Sequence, residues 1–484
     1  MTSQPSQELV TSSRLPENDL AGFSFEDKLR ICKERTSVQF EDCLQLLQSC
    51  QRDADYFLVL GLLPGFLKSR QLTETESCLL LEGLPLELFA RMLSSDDELA
   101  NEDYAELVIN VLSVLLPRCS QEMFHKLHCL APPIKRRLHL IRSKSLTVKD
   151  VETYLYLVLI ICEDSLSERD ILSVLDVISS TLVSRTSELP STDLLDGCII
   201  MLRKLAELNR SWDEETPPWL KNYLLIVERI LRTKYTNDVR WKQCFEICAL
   251  ICLIFGLNCF GNSSHFLITL TALTEVELRL ILNEPKRVDV GRLKPCSILM
   301  RHFIQSVESS VLSDEDDATK VSLMCRDVTN FVCEYIVESE KSSDDELEWD
   351  VKIALYEIIC SFFAVGGYNI IDRNVLHNVI PHLIGISLQS CQKGNSEEAL
   401  QLIRLFGSLP ELNDQCLPLM LHYLKGDPHS TTDYETRLEE TKLVLSSLRG
   451  RADWYSYDDL KNVKNEAEAE GNESLLKILN TLDA

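Results

Sequence analysis

Three cysteines at four-residue intervals form the first group that could do chemistry. Cys244, Cys248 and Cys252 share one face if this segment is helical, because four residues advance an α-helix by slightly more than one turn. Thiolates bind zinc, but a structural zinc site needs four ligands in a tetrahedral arrangement. Residues eight apart on a straight helix are separated by about 12 Å along its axis. We therefore interpret the three cysteines as small apolar side chains in a helix–helix contact.

Two histidines in FHKLH form a second candidate group. His125 and His128 are three residues apart and lie between Cys119 and Cys129. Such a pair can begin a metal site, but no acidic or cysteine pair at ligand spacing follows it. The sequence favours histidines on the surface or half-buried. A metal protein or enzyme that uses these histidines together with the Cys244–Cys252 face is the less favoured alternative.

The stretch HFLITLTALTEVELRLILNE, residues 265–284, places His265, Glu275 and Glu277 among leucines. The two glutamates are two residues apart, about 200° around a helix, so they cannot act together on one substrate atom. His265 is expected at the start of the helix rather than in a ligand cluster. The pattern predicts a buried packing helix whose apolar stripe is formed by Phe266, Leu270, Leu273, Val276 and Leu280, with Leu267, Leu278 and Ile281 on its flanks.

Sequence motifs of hydrolytic or phosphate-binding enzymes are absent. The chain contains no His-Glu-x-x-His, no phosphate-loop glycine pattern and no Gly-x-Ser-x-Gly turn. The other aspartates and glutamates are interpreted as solvated helix faces rather than as a tuned acid and base. The sequence therefore predicts a protein that is not an enzyme and has no cofactor.

One basic segment stands out in an acidic chain. PPIKRRLHLIRSK, residues 132–144, could contact a phosphorylated partner or an acidic lipid headgroup, which would allow peripheral membrane association. A solvated helix end is the alternative. The candidate contact patch consists of Lys135, Arg136, Arg137, Arg142 and Lys144.

Several serines directly precede runs of carboxylates. This context suits acidophilic kinases, and a phosphate there would deepen a negative surface. The alternative is that the segments are exposed loops whose charge keeps the chain soluble. The candidate phosphorylation sites are Ser94, Ser95, Ser313, Ser342 and Ser343.

The composition limits which classes of partner and which cellular compartment are expected. The 484 residues carry a formal net charge of −26, which argues against nucleic-acid binding because phosphate binding requires clustered Lys and Arg. Proteins are the expected partners. The 18 cysteines are scattered through leucine-rich runs, and the longest apolar run, residues 247–260, is too short to span a membrane. No secretory pattern opens the chain, so a cytoplasmic protein with reduced thiols is expected.

Helical periodicity recurs from about residue 21 to about residue 425, and sustained alternation with period two is scarce. Thr73 with Glu76, and Ser167 with Asp170, fit helix capping boxes, each followed by apolar residues at helical spacing. These patterns predict an all-α fold. VKIALYEIICSFF shows the stripe most clearly, with Val351, Ala354, Leu355, Ile358 and Phe362 on one face.

Polar breaks divide the helical blocks into pairs, which is typical of an armadillo- or HEAT-like α-solenoid of stacked helix pairs. A non-repeat helical bundle is the alternative. We predict a disordered N-terminus over residues 1–20, a leucine-rich α-solenoid over 21–425 and a polar, partly helical tail over 426–484. The breaks are predicted at 185–192, 209–218, 285–295, 312–318, 338–348, 392–396 and 408–415.

Three blocks resemble the neurochondrin family. The most specific block runs from Lys234 to Glu284. It contains Val276-Glu277-Leu278-Arg279-Leu280, which is similar to a Val-Glu-Val-Arg-Leu-like core in the family. Three further elements occur in the same order as in the family. They are an Ile-Leu-x-x-Lys segment (Ile230-Leu231-Arg232-Thr233-Lys234), an apolar helix that begins at Arg240, and Phe266-Leu267. The other two blocks, Asp53 to Leu93 and Val351 to Ser387, resemble the family's helix cores. This chain departs from the family in its polar C-terminal tail and its higher cysteine content.

The resemblance implies a leucine-rich cytoplasmic α-solenoid without catalytic activity. Members of the neurochondrin family are associated with neurite outgrowth, with binding to cytoplasmic tails of G-protein-coupled receptors and with restraint of calcium/calmodulin-dependent kinase II. The implied function is therefore a neuronal signalling adaptor, located in the cytoplasm and in neuronal projections. A generic armadillo-type transport or assembly scaffold is the alternative. The matched positions are apolar, so the resemblance assigns no binding residue.

Overall fold

In the computed structural model, every regular element of the described residues is a helix, and none of these residues forms a strand. The predicted all-α class is therefore confirmed. The chain divides into two compact units, residues 1–197 and 198–484, with the boundary inside one helix, Thr192–Glu207. The predicted disordered segment, residues 1–20, lies outside the described residues. The structure describes residues 24–34, 40–69, 72–94, 102–141, 146–208, 217–233, 238–260, 264–283, 288–309, 312, 314–341, 347–410, 412–425, 434–448, 451, 454–469 and 473–480.

The first unit is built from helices that pack on their sequential neighbours. α2 packs on α3 and α4, α5 on α6 and α7, and α7 on α8 and α9. Such a helix buries its apolar face against the next helix and the one after it, which is the packing pattern of helical repeats. The helices are α1 (Phe25–Glu34), α2 (Phe40–Ser49), α3 (Asp53–Ser69), α4 (Glu74–Gly83), α5 (Leu86–Ser94), α6 (Glu102–Leu115), α7 (Ala131–Ile141), α8 (Val148–Cys162), α9 (Glu168–Ser184) and the boundary helix α10 (Thr192–Glu207), with 3-10 segments at Leu116–Arg118, Gln121–Leu130 and Glu163–Ser165.

Both predicted capping boxes are confirmed. The Thr73 hydroxyl accepts a hydrogen bond from the Glu76 amide, and the Glu76 carboxylate accepts one from the Thr73 amide, so two otherwise unpaired amides are satisfied. Ser167 starts α9 in the same way. A third box, which the sequence analysis did not identify, begins α8 at Thr147, where Asp150 completes it.

A glycine lets α10 approach α8 closely. A Cβ placed on Gly197 would lie 2.4 Å from Leu155 Cδ2 and 2.9 Å from its Cγ, and Leu155 is buried. We expect Gly197→Val to lower the free energy of unfolding by about 2–3 kcal/mol, because the packed leucine cannot move aside without strain. Urea denaturation followed by circular dichroism measures the loss.

Gly61 supplies the matched control for that substitution. It lies within α3, and a Cβ there would meet nothing within 4 Å. Gly61→Val is therefore expected to change stability by less than about 1 kcal/mol, because it displaces no packed group and valine has a slightly better helix propensity than glycine. Equal losses at both glycines would contradict the close-approach interpretation.

The second unit forms two layers of helices. α12, α14, α16, α18 and α20 each pack on the next of this set, and α13, α15, α17, α19 and α21 do the same. Consecutive helices also pack across the layers, so the unit has the repeat-like packing of a helical solenoid. Its helices are α11 (Pro218–Leu231), α12 (Asp238–Phe255), α13 (Ser264–Leu282), α14 (Val290–Glu308), α15 (Glu315–Lys341), α16 (Trp349–Ala364), α17 (Arg373–Gln392), α18 (Glu397–Leu405), α19 (Cys416–Lys425), α20 (Tyr434–Ser447), α21 (Tyr457–Ala469) and α22 (Glu473–Asn480), with 3-10 segments at Gly256–Phe260 and Gly367–Ile370.

Prolines lie inside three of the helices, at Pro64, Pro295 and Pro381. The break predicted through residue 295 is therefore too long, since α14 begins at Val290 and is capped by Asp289, whose side chain accepts a hydrogen bond from the Arg292 amide. A proline that is buried by neighbouring helices can be tolerated despite the lost backbone hydrogen bond. The same packing pattern also continues past residue 425, where α20 packs on α18 and α19.

Ion pairs link alternate helices along one layer of the second unit. In each, the basic residue is on the earlier helix and the acidic residue is on the helix two further along. Exposed pairs of this kind contribute little stability, so their main effect is to fix how neighbouring helices align. The pairs are Arg203 with Glu246, Lys294 with Asp350 (2.7 Å), Arg301 with Glu357 (2.9 Å) and Arg404 with Glu440 (2.6 Å).

A mostly buried histidine in α14 makes this unit sensitive to acid. Burial and, as a smaller cause, the neighbouring Arg301 charge together lower the pKa of His302 to about 4. Its Nδ1 is buried without a hydrogen-bond partner in the described part of the chain. The folded protein therefore holds the imidazole neutral, whereas the unfolded chain takes up a proton below a pKa of about 6.5.

The sign of the resulting pH dependence follows from linkage. The stabilisation is present above pH 6.5 and is lost as the pH falls towards 4. Between pH 7 and pH 5 we expect the wild type to lose about 1–2 kcal/mol more than the His302→Gln variant. Urea denaturation at the two pH values measures the difference, and parallel losses in both proteins would refute it.

Candidate partner-binding surface

The orientation of α13 differs from the predicted one. Val276 is 53% exposed and Leu280 is 60% exposed, so the predicted apolar stripe was wrong at these two positions. Phe266 and Leu270 are buried as expected, and Leu273 is half-buried. Compared with the predicted stripe, the buried face is rotated around the helix axis. It is centred on Leu267, Leu270, Thr271, Thr274, Leu278 and Ile281.

Two threonines can occupy this buried face because their hydroxyls are satisfied within the helix. Thr271 donates to the Leu267 carbonyl at 2.8 Å, and Thr274 donates to the Leu270 carbonyl at 2.7 Å. A buried hydroxyl without a hydrogen bond would cost free energy, whereas these back-bonded hydroxyls do not. Their β-methyl groups can then pack like those of valine.

Glu277 is the residue that sequence reasoning misjudged most. The sequence excluded a joint chemical role for Glu277 and Glu275 but did not predict the burial of Glu277, of which only 3% is exposed. Arg292, at the start of α14, donates to Glu277 Oε1 from Nε at 2.7 Å, and its Nη2 lies 2.5 Å from the same oxygen in an ion pair. The indole Nε1 of Trp241 in α12 donates to Oε2 at 3.2 Å. Both carboxylate oxygens are therefore paired, and α13 is tied to two helices of the other layer.

A second set of contacts fixes the opposite flank of α13. Arg279 donates to Glu275 Oε1 one turn earlier, at 3.1–3.2 Å. The same guanidinium lies over the Phe331 ring of α15, 5.0 Å from its centroid. With Glu277 held on one flank and Arg279 on the other, α13 cannot rotate to bury its remaining apolar residues.

The exposed remainder is a short apolar strip, here called the α13 stripe, formed by Leu273, Val276 and Leu280. Within the described residues, no other pair of large apolar side chains more than half exposed is separated by a single helical turn. Exposed apolar residues are common singly, but a fixed pair on one helix face offers a contact for apolar side chains of a partner. No group at the stripe can act as a nucleophile or as a metal ligand.

The three predicted cysteines lie on the side of α12 that faces the protein core. Cys244, Cys248 and Cys252 are buried, as the packing interpretation expected, and Cys252 Sγ lies 3.8 Å from Cys259 Sγ. Burial raises the pKa of the Cys244 thiol to about 12 and that of Cys248 well above its usual value. These thiols therefore stay protonated. Across the described parts of the chain, no group of three or more His, Cys, Asp or Glu residues could hold a metal ion.

The histidine pair is on the surface, as predicted. His125 and His128 are both exposed in the 3-10 segment Gln121–Leu130, with Nδ1 of the first 3.4 Å from Nε2 of the second. Cys129 follows and is also exposed.

The basic segment is only partly described. Lys135 is half-buried, forms an ion pair with Asp170 at 3.3 Å and donates to the Ser165 carbonyl, so it joins α7 to the start of α9. Arg136 is exposed, and Arg137 is half-buried beside Tyr154, where its charge opposes the effect of burial, which raises the tyrosine pKa. Arg142 and Lys144 lie outside the described residues. The contact patch remains a prediction.

Of the candidate phosphorylation sites, only one is described. Ser94 is the last residue of α5 and is half-buried. Ser95, Ser313, Ser342 and Ser343 lie outside the described residues. Modification of these serines remains a prediction.

None of the described helices combines the length and the apolar character needed to cross a membrane. Compared with known protein families and with curated proteins, the chain matches no family and no curated protein.

Proposed function

We propose that this chain is a non-catalytic helical-repeat adaptor of the armadillo or HEAT kind, similar to neurochondrin, that binds signalling proteins through the α13 stripe. The expected partners are receptor cytoplasmic tails and calcium/calmodulin-dependent kinase II, and the expected setting is the cytoplasm of neurons. The partner identities rest on the resemblance of residues 234–284 to the neurochondrin family.

The observation that carries the proposal is the exposure of Val276 and Leu280 on a helix whose other large apolar side chains are buried or half-buried. Leaving two large apolar side chains in water forfeits about 1.5–3 kcal/mol per side chain that burial would supply. The contacts of Glu277 and Arg279 nevertheless hold α13 in this orientation. A partner that covers the stripe would recover that free energy.

The proposal is tested by measuring direct binding. The purified full chain is immobilised, and receptor-tail peptides and the purified kinase are titrated over it in a biosensor experiment. Saturable binding of at least one of them, with one site per chain, is expected. Scrambled peptides of the same composition provide the control, and equal binding of native and scrambled peptides would refute a specific adaptor.

Salt dependence adds a second criterion. Binding to the α13 stripe should weaken little when salt is raised from 0.05 to 0.5 M, since an apolar contact is not screened. A loss of binding over that range would indicate attraction by the chain's net charge of −26 instead, and would contradict the assignment of the stripe.

A further inference from the structure

A buried arginine in the second unit has two guanidinium nitrogens without a hydrogen-bond partner among the described residues. Arg437 is the fourth residue of α20 and is 6% exposed, and its Nε and Nη1 are buried with no hydrogen-bond partner among the described residues. A guanidinium is always charged, and removing it from water without a counter-charge is costly. A buried cation with unpaired donors therefore points to an anion.

A second unpaired group lies beside it. Tyr423 is in α19, which packs on α20; it is 2% exposed, and its hydroxyl also lacks a hydrogen-bond partner in the described part of the chain. Burial and the Glu440 charge raise the pKa of the hydroxyl, whereas the charges of Arg404 and Arg437 oppose this rise. Arg437 is thus close enough to Tyr423 for the two to interact.

Glu440, three residues after Arg437 on α20, is already engaged. Glu440 accepts from Arg404 with both oxygens, at 2.6 and 3.2 Å, in a two-bond pair between α18 and α20. Both oxygens of Glu440 are therefore committed to Arg404. The unpaired groups are all able to donate, namely two guanidinium nitrogens and one hydroxyl, so a matching ligand must carry negative charge and several acceptor oxygens.

We propose that Arg437 and Tyr423 form a binding site for a small oxyanion of the phosphate class, at the junction of α19 and α20. The guanidinium supplies charge and two donors, and the hydroxyl supplies a third donor. This site is separate from the α13 stripe and does not depend on the adaptor function.

The test is the thermal stability of the full chain in inorganic phosphate. Phosphate is titrated to about 20 mM against sodium chloride of equal ionic strength, and the melting temperature is followed by scanning fluorimetry. Phosphate also stabilises proteins in general by exclusion from their surface, so the readout is the difference between the wild type and the Arg437→Met variant. We expect the wild type to gain about 2 °C more than the variant.

A second variant and a second ligand sharpen the result. Tyr423→Phe removes one donor without removing charge, and we expect the phosphate concentration for half-maximal effect to rise about tenfold. O-phosphoserine is titrated in parallel. A larger effect of phosphate assigns the site to the free ion, and a larger effect of O-phosphoserine assigns it to a phosphorylated side chain.

Two results would overturn the proposal. The first is an equal phosphate response in the wild type and in Arg437→Met. The second is a large stability loss in Arg437→Met without phosphate, since that would show that the Arg437 charge is already matched within the folded chain. With an empty site, removing the uncompensated charge should leave stability unchanged or higher.

Discussion

Arg292→Ala is expected to lower the free energy of unfolding by about 3 kcal/mol, the largest stability effect that we predict for one surface-reaching residue. The substitution removes the ion pair with Glu277, in which Arg292 Nε donates to Oε1 at 2.7 Å and Nη2 lies 2.5 Å from the same oxygen. Glu277 then keeps only the 3.2 Å hydrogen bond from Trp241, inside a site that water barely reaches. The loss arises mainly from an unpaired buried carboxylate, because Arg292 itself is one-third exposed. Urea denaturation followed by circular dichroism measures it.

A double-mutant cycle separates this explanation from a simple packing loss. In Glu277→Leu with Arg292→Met, no buried charge remains, so the double variant should recover most of the stability lost in Arg292→Ala. Glu277→Gln should cost less than Arg292→Ala, since the amide retains hydrogen bonds and the arginine can still be solvated. A loss in the double variant equal to the summed losses of Glu277→Leu and Arg292→Met, each measured alone, would show that the two side chains are not coupled.

Leu280→Gln is expected to weaken partner binding at least tenfold while changing the melting temperature by no more than about one degree. A buried leucine contributes about 1.5–3 kcal/mol to an interface, and that range corresponds to a tenfold or larger change in affinity. The side chain is 60% exposed in the free chain, so its replacement by another good helix former disturbs little packing. Biosensor titration against the partner bound by the wild type measures the affinity.

Leu253 provides a matched control. It is 53% exposed, and like Leu280 it lies two residues before the end of its helix, here α12. Leu253→Gln should therefore have the same effect on stability and no effect on binding. Equal weakening by both substitutions would mean that the α13 stripe is not the contact surface.

Local signals in the sequence determined where helices begin and which class of fold forms. The capping boxes at Thr73 and Ser167 were predictable because each joins residues three apart, so no distant partner is required. The burial of the Cys244–Cys252 face was predictable for a similar reason, since small apolar side chains on one helix face have few other places to go. Pro295 was not predictable, because its tolerance depends on the helices that bury it.

The side of α13 that faces the core was decided only by tertiary structure. The helix carries apolar residues around much of its circumference, so periodicity alone allows more than one buried face. The face that is in fact buried includes Glu277, a residue type that a sequence pattern places on the surface. That glutamate is satisfied by Arg292, 15 residues later, and by Trp241, 36 residues earlier. Their positions depend on how α12 and α14 pack, which no window of sequence contains. The sequence by itself therefore specified a helix rich in leucine, and the packing of its neighbours selected which leucines remain in water.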